Sequence, residues 1–411
     1  MSKRLVSGID RGLLTFLAIF FLVGMASAPI RSLLPVYVES ELRQPPFFTS
    51  SVLAAQLLVG GLFAIVGGAV ADGVGQRRAL LLGLAGLPFA SAALLTEQPA
   101  VMAALVGLRG ATEGLQTAGG QSYLVAGAPP GQLGLASALY FLGGTLGSSL
   151  GNLVAGWVVA SHGFRALAVV LIACGIGLTL AAARLLGEPT GSTGTRRGVR
   201  SGLRGYGELL RRREVQLLSC VRFLPTCYWG VTTLLMPLLI FRLSGEVLTV
   251  SLYAAVSLLL AAACQILTGR AVDTVSRTLP ALVLAALIPV CATLAAASAR
   301  SLPALFAAGV LGTCVAWSLS ATLPPLVREV AGNAEEGRIL GFLHLLWSTA
   351  MLGGTLLAGA LVDLDAALPF GIVAALNAAT FVAAWRLTRL IARRGVRAER
   401  RAELVDGSEA G

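Results

Sequence analysis

Gly67-Gly68-Ala69-Val70-Ala71-Asp72-Gly73-Val74-Gly75-Gln76-Arg77-Arg78 is a short polar break between two apolar runs, each long enough to cross a bilayer. Farther along, the chain writes Gly269-Arg270-Ala271-Val272-Asp273-Thr274-Val275-Ser276-Arg277, again between two such runs. A recurrence at that long period marks two halves of one architecture. Working outward from the two breaks, apolar runs of about 18 to 25 residues can be counted, because a helix rising about 1.5 Å per residue must cross about 30 Å of hydrocarbon. Twelve follow: 12–38, 47–71, 79–96, 100–125, 134–160, 165–186, 216–242, 247–271, 279–299, 303–327, 338–363 and 367–392. They are too long and too uniformly apolar for the alternating pattern of a membrane barrel.

The expectation is therefore an all-α membrane protein, with twelve transmembrane helices in two pseudosymmetric six-helix bundles. Residues 1–186 form the first bundle, 187–214 a cytoplasmic linker, 215–392 the second bundle and 393–411 a polar cytoplasmic tail expected to be disordered. The fifth and eleventh spans strengthen the duplication: Gly134, Gly151, Ala155 and Gly156 recur in register as Gly337, Gly354, Ala358 and Gly359. Pro35 in the first span is likewise answered by Pro237 in the seventh. In the linker, Leu203, Tyr206, Leu209 and Leu210 share one face of a possible helix, with Arg204, Arg211, Arg212 and Arg213 around it. That pattern reads either as a helix on an anionic leaflet or as a solvated charged linker.

Composition agrees with a membrane chain, since 56% of the 411 residues are hydrophobic and 12% charged. The net charge of +11 does not point to nucleic acid, because the basic residues sit in loops and tails between spans. With both termini cytoplasmic, the outer loops carry Arg43, Arg165, Arg242 and Arg300 while most other basic residues lie inside, as the positive-inside rule expects. Cys174, Cys220, Cys227, Cys264, Cys291 and Cys314 all fall inside spans without metal-ligand spacing, so no metal and no cofactor is expected. The basic segment Met1 to Arg11 before an apolar run mimics a signal peptide, but the run from Gly12 to Val38 is too long for one. Scarce lysine beside abundant arginine, alanine and glycine suggests a prokaryotic inner-membrane protein; a monomer is expected.

Gly68, Asp72, Gly75 and Arg77, and again Gly269, Asp273, Ser276 and Arg277, resemble the loop signature of the major facilitator superfamily, whose transporters carry this two-bundle fold. The resemblance implies gating loops. Asp72 would latch onto the unpaired N–H groups at the start of the eleventh helix, near Arg338, when the cytoplasmic side is closed. Asp273 would do the same at the fifth helix; a plain charged turn is the bland alternative. Leu105-Val106-Gly107-Leu108-Arg109-Gly110 resembles the fourth-helix motif of the family, in which an arginine before a glycine is associated with proton coupling. Arg109 and Glu113 are four apart and share a face. The reading is that Glu113 exchanges a proton while Arg109 tunes it, against the alternative of a permanent ion pair within the helix. The glycines of Gly143 to Gly151 resemble the fifth-helix motif of proton antiporters, with Ser148 and Asn152 where that motif has proline and glycine. Close helix packing is the plainer role for such glycines.

In this fold the first, fourth, seventh and tenth helices surround a central cavity, which brings in Arg31, Arg222, Tyr228, Trp229 and Trp317, with His344 near. Arg31 and Arg222 are open to three readings: an anionic substrate group held bidentately, pairing with Glu113 or backbone carbonyls, or snorkelling to an interface. Pro29, Pro35, Pro225, Pro237, Pro324 and Pro325 are expected to bend the gating helices. No phosphate-binding loop and no catalytic set appears, so an ATPase and a membrane-embedded enzyme are both disfavoured. The reading is a secondary active transporter that alternates access to move a small organic solute by exchange with protons, exporting an amphipathic or anionic compound. Proton-coupled uptake of a small anionic metabolite or sugar is the alternative, and a non-transporting scaffold or sensor the third.

Overall fold

The computed structural model describes residues 11–128, 133–189, 210–331 and 336–409, apart from the side chains of residues 72, 134, 331, 336–338, 340–341 and 394–409. Among the described residues the structure is helical, without strands. The helices are α1 (Arg11–Ser40), α2 (Pro46–Val74), α3 (Gln76–Leu84), α4 (Leu87–Ala92), α5 (Pro99–Gly127), α6 (Leu133–Leu185), α7 (Arg213–Ser244), α8 (Val247–Thr274), α9 (Leu279–Ser298), α10 (Leu302–Ala321), α11 (Leu323–Ala331), α12 (Glu336–Leu361) and α13 (Leu368–Glu409). Ten helical segments among the described residues are long and apolar enough to cross a membrane. Two features separate ten from twelve. The segment Leu135–Leu185 counts once although Gly163, at φ 81° and ψ 173°, breaks the helix inside it. The 29-residue α5 has ample length but carries Arg109 and Glu113, and it is not among the ten.

Several expected boundaries shift for local reasons. The span expected at 79–96 is α3, α4 and a 3-10 turn at Ala93–Leu95, interrupted at Ala85 and Gly86. A Cβ at Gly86 would lie 1.8 Å from the hydroxyl of Thr112, so the interruption is where α5 comes closest. Pro29 and Pro35 lie inside α1, and Pro225 and Pro237 inside α7, each removing a backbone donor from its helix. Pro324 and Pro325 instead open the short α11 after Thr322. The tail expected to be disordered continues α13 as helix to Glu409, an extension that its Arg, Ala and Glu residues favour. The amphipathic stretch of Leu203, Tyr206 and Leu209 lies outside the described residues.

Packing divides the helices into two sets. In the first, α1 packs on α6, and α5 on α2 and α3; in the second, α7 packs on α12 and α13, α8 on α10, and α9 on α10 and α13. The main joins between them are α6 with α8 and α2 with α12, and α1 also meets α7 and α8. The duplicated residues supply these joins symmetrically. A Cβ at Gly156 of α6 would lie 2.3 Å from Ser251 of α8, and one at Gly359 of α12 would lie 2.1 Å from the Ser50 hydroxyl of α2. Each bundle thus presents a glycine to a fully buried serine of the other.

The two ends of the molecule differ. At the end where α1 and α7 finish, one continuous apolar core runs through both bundles, from Leu34, Val38 and Leu167 to Leu239 and Val250. At the opposite end, where the two aspartate loops lie, the first bundle has a core of its own built on Leu13, Phe16, Leu80, Leu84, Tyr123, Tyr140 and Leu186. The bundles are clasped at one end and packed separately at the other.

Candidate functional site

Small residues decide where α5 sits. A Cβ at Gly110 would approach the Gln56 carbonyl oxygen to 2.5 Å, and one at Gly114 the Gly60 carbonyl oxygen to 2.3 Å, so only glycine lets α5 lie this close to α2. That approach brings Gln56 over Glu113: Gln56 Nε2 donates to Glu113 Oε2 at 3.0 Å. From α1, Arg31 Nη1 stands 3.9 Å from Glu113 Oε1. α1 is pressed close by α6 in the same way. Pro29 leaves the Met25 carbonyl without its helical donor, and Gly151 lies against that carbonyl, where a Cβ would be 2.2 Å away. Ser32, beside Arg31, donates to Asn152 Oδ1 of α6. Asn152 therefore fastens α1 to α6.

Glu113 and Arg109 line one small cleft together with Ala26, Ser27, Ile30, Arg31, Gln56, Leu87 and Ala90. The two are not bonded to each other. Arg109 is 4% exposed and donates through Nη2 to Gln116 Oε1 at 2.8 Å and through Nη1 to Thr112 Oγ1 at 3.4 Å. Arg109 uses its donors along α5, and Glu113 faces Arg31 across the helix interface while staying within electrostatic reach of Arg109. A partly buried carboxylate with one amide donor and one arginine at the edge of ion-pair distance sits in a wall where three helices meet. Gaining or losing a proton there changes what holds α1, α2 and α5 together.

In the second bundle Arg222 of α7 reaches α10, where Nη1 donates to Ser320 Oγ at 3.2 Å. Trp229 and Trp317 meet edge to face with centroids 5.9 Å apart, and Gln265 of α8 donates to the Trp317 carbonyl at 3.3 Å. His344 stacks on Trp347 of its own helix, at 5.6 Å. Tyr228, expected at the cavity, is instead fully buried; a Cβ at Gly312 would lie 1.8 Å from its hydroxyl, so the ring fills the space that glycine leaves in α10.

The loop residues act within their own bundles. Gly75 has φ 106°, a left-handed value that favours glycine, and it makes the turn from α2 to α3. Arg77 then donates through Nε to Leu186 O at 2.6 Å and through Nη2 to Ala183 O, satisfying the last carbonyls of α6. Arg277 donates through Nη1 to Glu329 Oε1 of α11, and that carboxylate raises the guanidinium's pKa. Asp273 is exposed and without a hydrogen bond or ion pair among the described residues, while the Asp72 side chain lies outside them. A Cβ at Gly68 or Gly269 would meet nothing within 4 Å.

One ion-paired link between bundles was not anticipated from the sequence. Arg242, near the end of α7, donates through Nε to Glu39 Oε1 of α1 at 2.7 Å and through Nη2 to Asp363 Oδ1 after α12 at 3.0 Å. Only its place in an outer loop was legible. Gln56 was missed too, though an amide inside the otherwise apolar run of α2 is the kind of signal that marks an intramembrane polar contact.

The family model described as Major Facilitator Superfamily matches residues 16–325. No curated protein matches the sequence. Solved structures share the fold at low identity. A mutant of the nucleoside transporter NupG superposes with TM-score 0.76 at 14% identity, covering 92% of this chain and 100% of its own. A POT family transporter in complex with a thioalcohol-conjugated peptide gives 0.74 at 16% identity, covering 94% and 98%. A bacterial homologue of the human lysosomal transporter Spinster, inward-facing and occupied, gives 0.68 at 16%, covering 93% and 96%.

Proposed function

The chain belongs to the Major Facilitator Superfamily, and from that premise we propose that it is a proton-coupled secondary transporter exporting an amphipathic or anionic organic compound. Twelve helices cross a prokaryotic inner membrane, with both termini cytoplasmic, and the aspartate loops mark the cytoplasmic end. The observation that carries the reading is Glu113, held in a cleft between Arg31 and Gln56 where α1, α2 and α5 meet. A proton on Glu113 removes its attraction to Arg31. The charge on Glu113 thus sets how firmly α1, α2 and α5 are held together, and exchange requires that Glu113 take its proton in the state that has released substrate. Alternating access follows from the unequal ends. The clasp of Arg242, Glu39 and Asp363 holds the outer end, and the inner end closes when Asp72 reaches the start of α12 and Asp273 the start of α6.

The reading is tested in proteoliposomes by a pH jump in either direction, across a panel of organic anions and neutral analogues. Antiport moves substrate against the proton flux, whereas symport moves it along. Uptake that follows the protons inward would overturn the export direction, and flux indifferent to pH would overturn the coupling.

A further inference from the structure

The two bundles differ in how their cavity arginines are compensated. In the first, Glu113 faces Arg31, and Arg109 is bonded to Gln116 and Thr112. In the second, Arg222 has no carboxylate within ion-pair distance among the described residues, and its Nε–H is buried without an acceptor. Trp317 stands one turn from Ser320 on the same face of α10, and its indole Nε1–H is also buried without an acceptor. Trp229 lies two turns along α7 from Arg222 and sets its ring at right angles to that of Trp317. His344 of α12 is within electrostatic reach of the same guanidinium.

Two N–H donors, one on the cationic Arg222 and one on the Trp317 indole, thus stand without acceptors on α7 and α10, two helices joined by the Arg222–Ser320 bond and the Trp229–Trp317 contact. Leaving such donors unmet is unfavourable, and donors cannot satisfy each other. The group that satisfies both accepts only and carries negative charge, while the indoles offer flat walls to a ring. We propose that Arg222, Ser320, Trp317 and Trp229 form the substrate subsite for an aromatic carboxylate, the guanidinium and indole N–H groups holding the anion and the two indoles bounding the ring. The subsite rests on the transporter reading and narrows its substrate to aryl carboxylates.

Isothermal titration calorimetry on the full chain in detergent tests it, with naphthalene-2-carboxylate, naphthalene-2-carboxamide and 2-naphthylmethylamine as probes. The carboxylate is expected to bind at least about tenfold more tightly than the carboxamide, the scale of a charge-assisted contact, and the amine most weakly. Arg222→Gln removes the preference and Arg222→Lys keeps part of it. Trp317→Phe weakens both naphthyl carbonyl probes, because it shortens the wall as well as removing a donor. Each variant is first shown to be monodisperse. Equal affinity for carboxylate and carboxamide, a preference that survives Arg222→Gln, or no binding by any probe overturns the subsite. The assay needs no gradient, so its failure is distinct from that of the transporter reading, which fails if the two ends never exchange.

Discussion

Glu113 and Arg77 show how the surroundings of a charged residue set its work. Glu113 lies within reach of two helices other than its own, so removing its charge acts on an interface. With Glu113→Gln, substrate counterflow is expected to persist while accumulation driven by a pH gradient disappears, a split read by comparing the two assays on one preparation; accumulation at the parental level removes Glu113 as the proton site. Arg77 lies at the end of α6 and satisfies carbonyls that no helical donor can reach. Arg77→Ala is expected to lower stability by about 1 to 2 kcal/mol, the scale of hydrogen bonds from a charged donor discounted for partial exposure, with Arg77→Lys recovering part; denaturant melts measure this. The sequence identified these residues by type and position. It left Arg31 pairing with Glu113 as one of three readings and did not name Gln56, because Arg31, Gln56 and Glu113 are distant in the chain and meet only through the rotation of three helices about their axes. Tyr228 was misplaced for the same reason: one rotational setting turns an aromatic from a cavity wall to a core.

At the scale of elements, glycines fall into packed and unpacked sets. Gly114, Gly147, Gly151 and Gly354 each lie where a Cβ would come within 2.3 Å of a neighbouring helix's carbonyl oxygen, whereas Gly68 and Gly269 at the loop end meet open space. Gly114→Ala is therefore expected to cost about 1 to 3 kcal/mol through forced separation of α2 and α5. Gly68→Ala and Gly269→Ala are expected to leave the melting temperature nearly unchanged while slowing transport, because those faces pack only when the loop end closes. Thermal unfolding beside flux on the same variants checks both, and an unaltered flux would remove those two positions from the closing surface. The helices themselves were legible from hydropathy: most expected spans match observed helices within a few residues, because bilayer thickness sets their length. The boundary at Gly163 was read as a short loop between two spans, and the structure narrows it to a kink at one residue of non-helical backbone where the two helices meet. The helical extension of α13 was hidden because polar composition argues about solvation and says little about backbone conformation.

For the molecule as a whole, the repeat in sequence became a repeat in packing, with Gly156 on Ser251 answered by Gly359 on Ser50. The clasp is where the symmetry fails, since one arginine, Arg242, serves both Glu39 and Asp363. Arg242→Gln is expected to shift the population toward a form open at the clasped end. The most direct measurement is double electron–electron resonance on spin labels in a cysteine-free background. One pair, Val74→Cys with Val275→Cys, spans the loop end, and the other, Leu95→Cys with Leu364→Cys, spans the clasped end. Two bundles rocking as bodies require that Arg242→Gln, or bound substrate, lengthen the clasped-end distance as it shortens the loop-end distance. Distances that stay fixed, or that change in the same sense at both ends, would contradict alternating access in this chain.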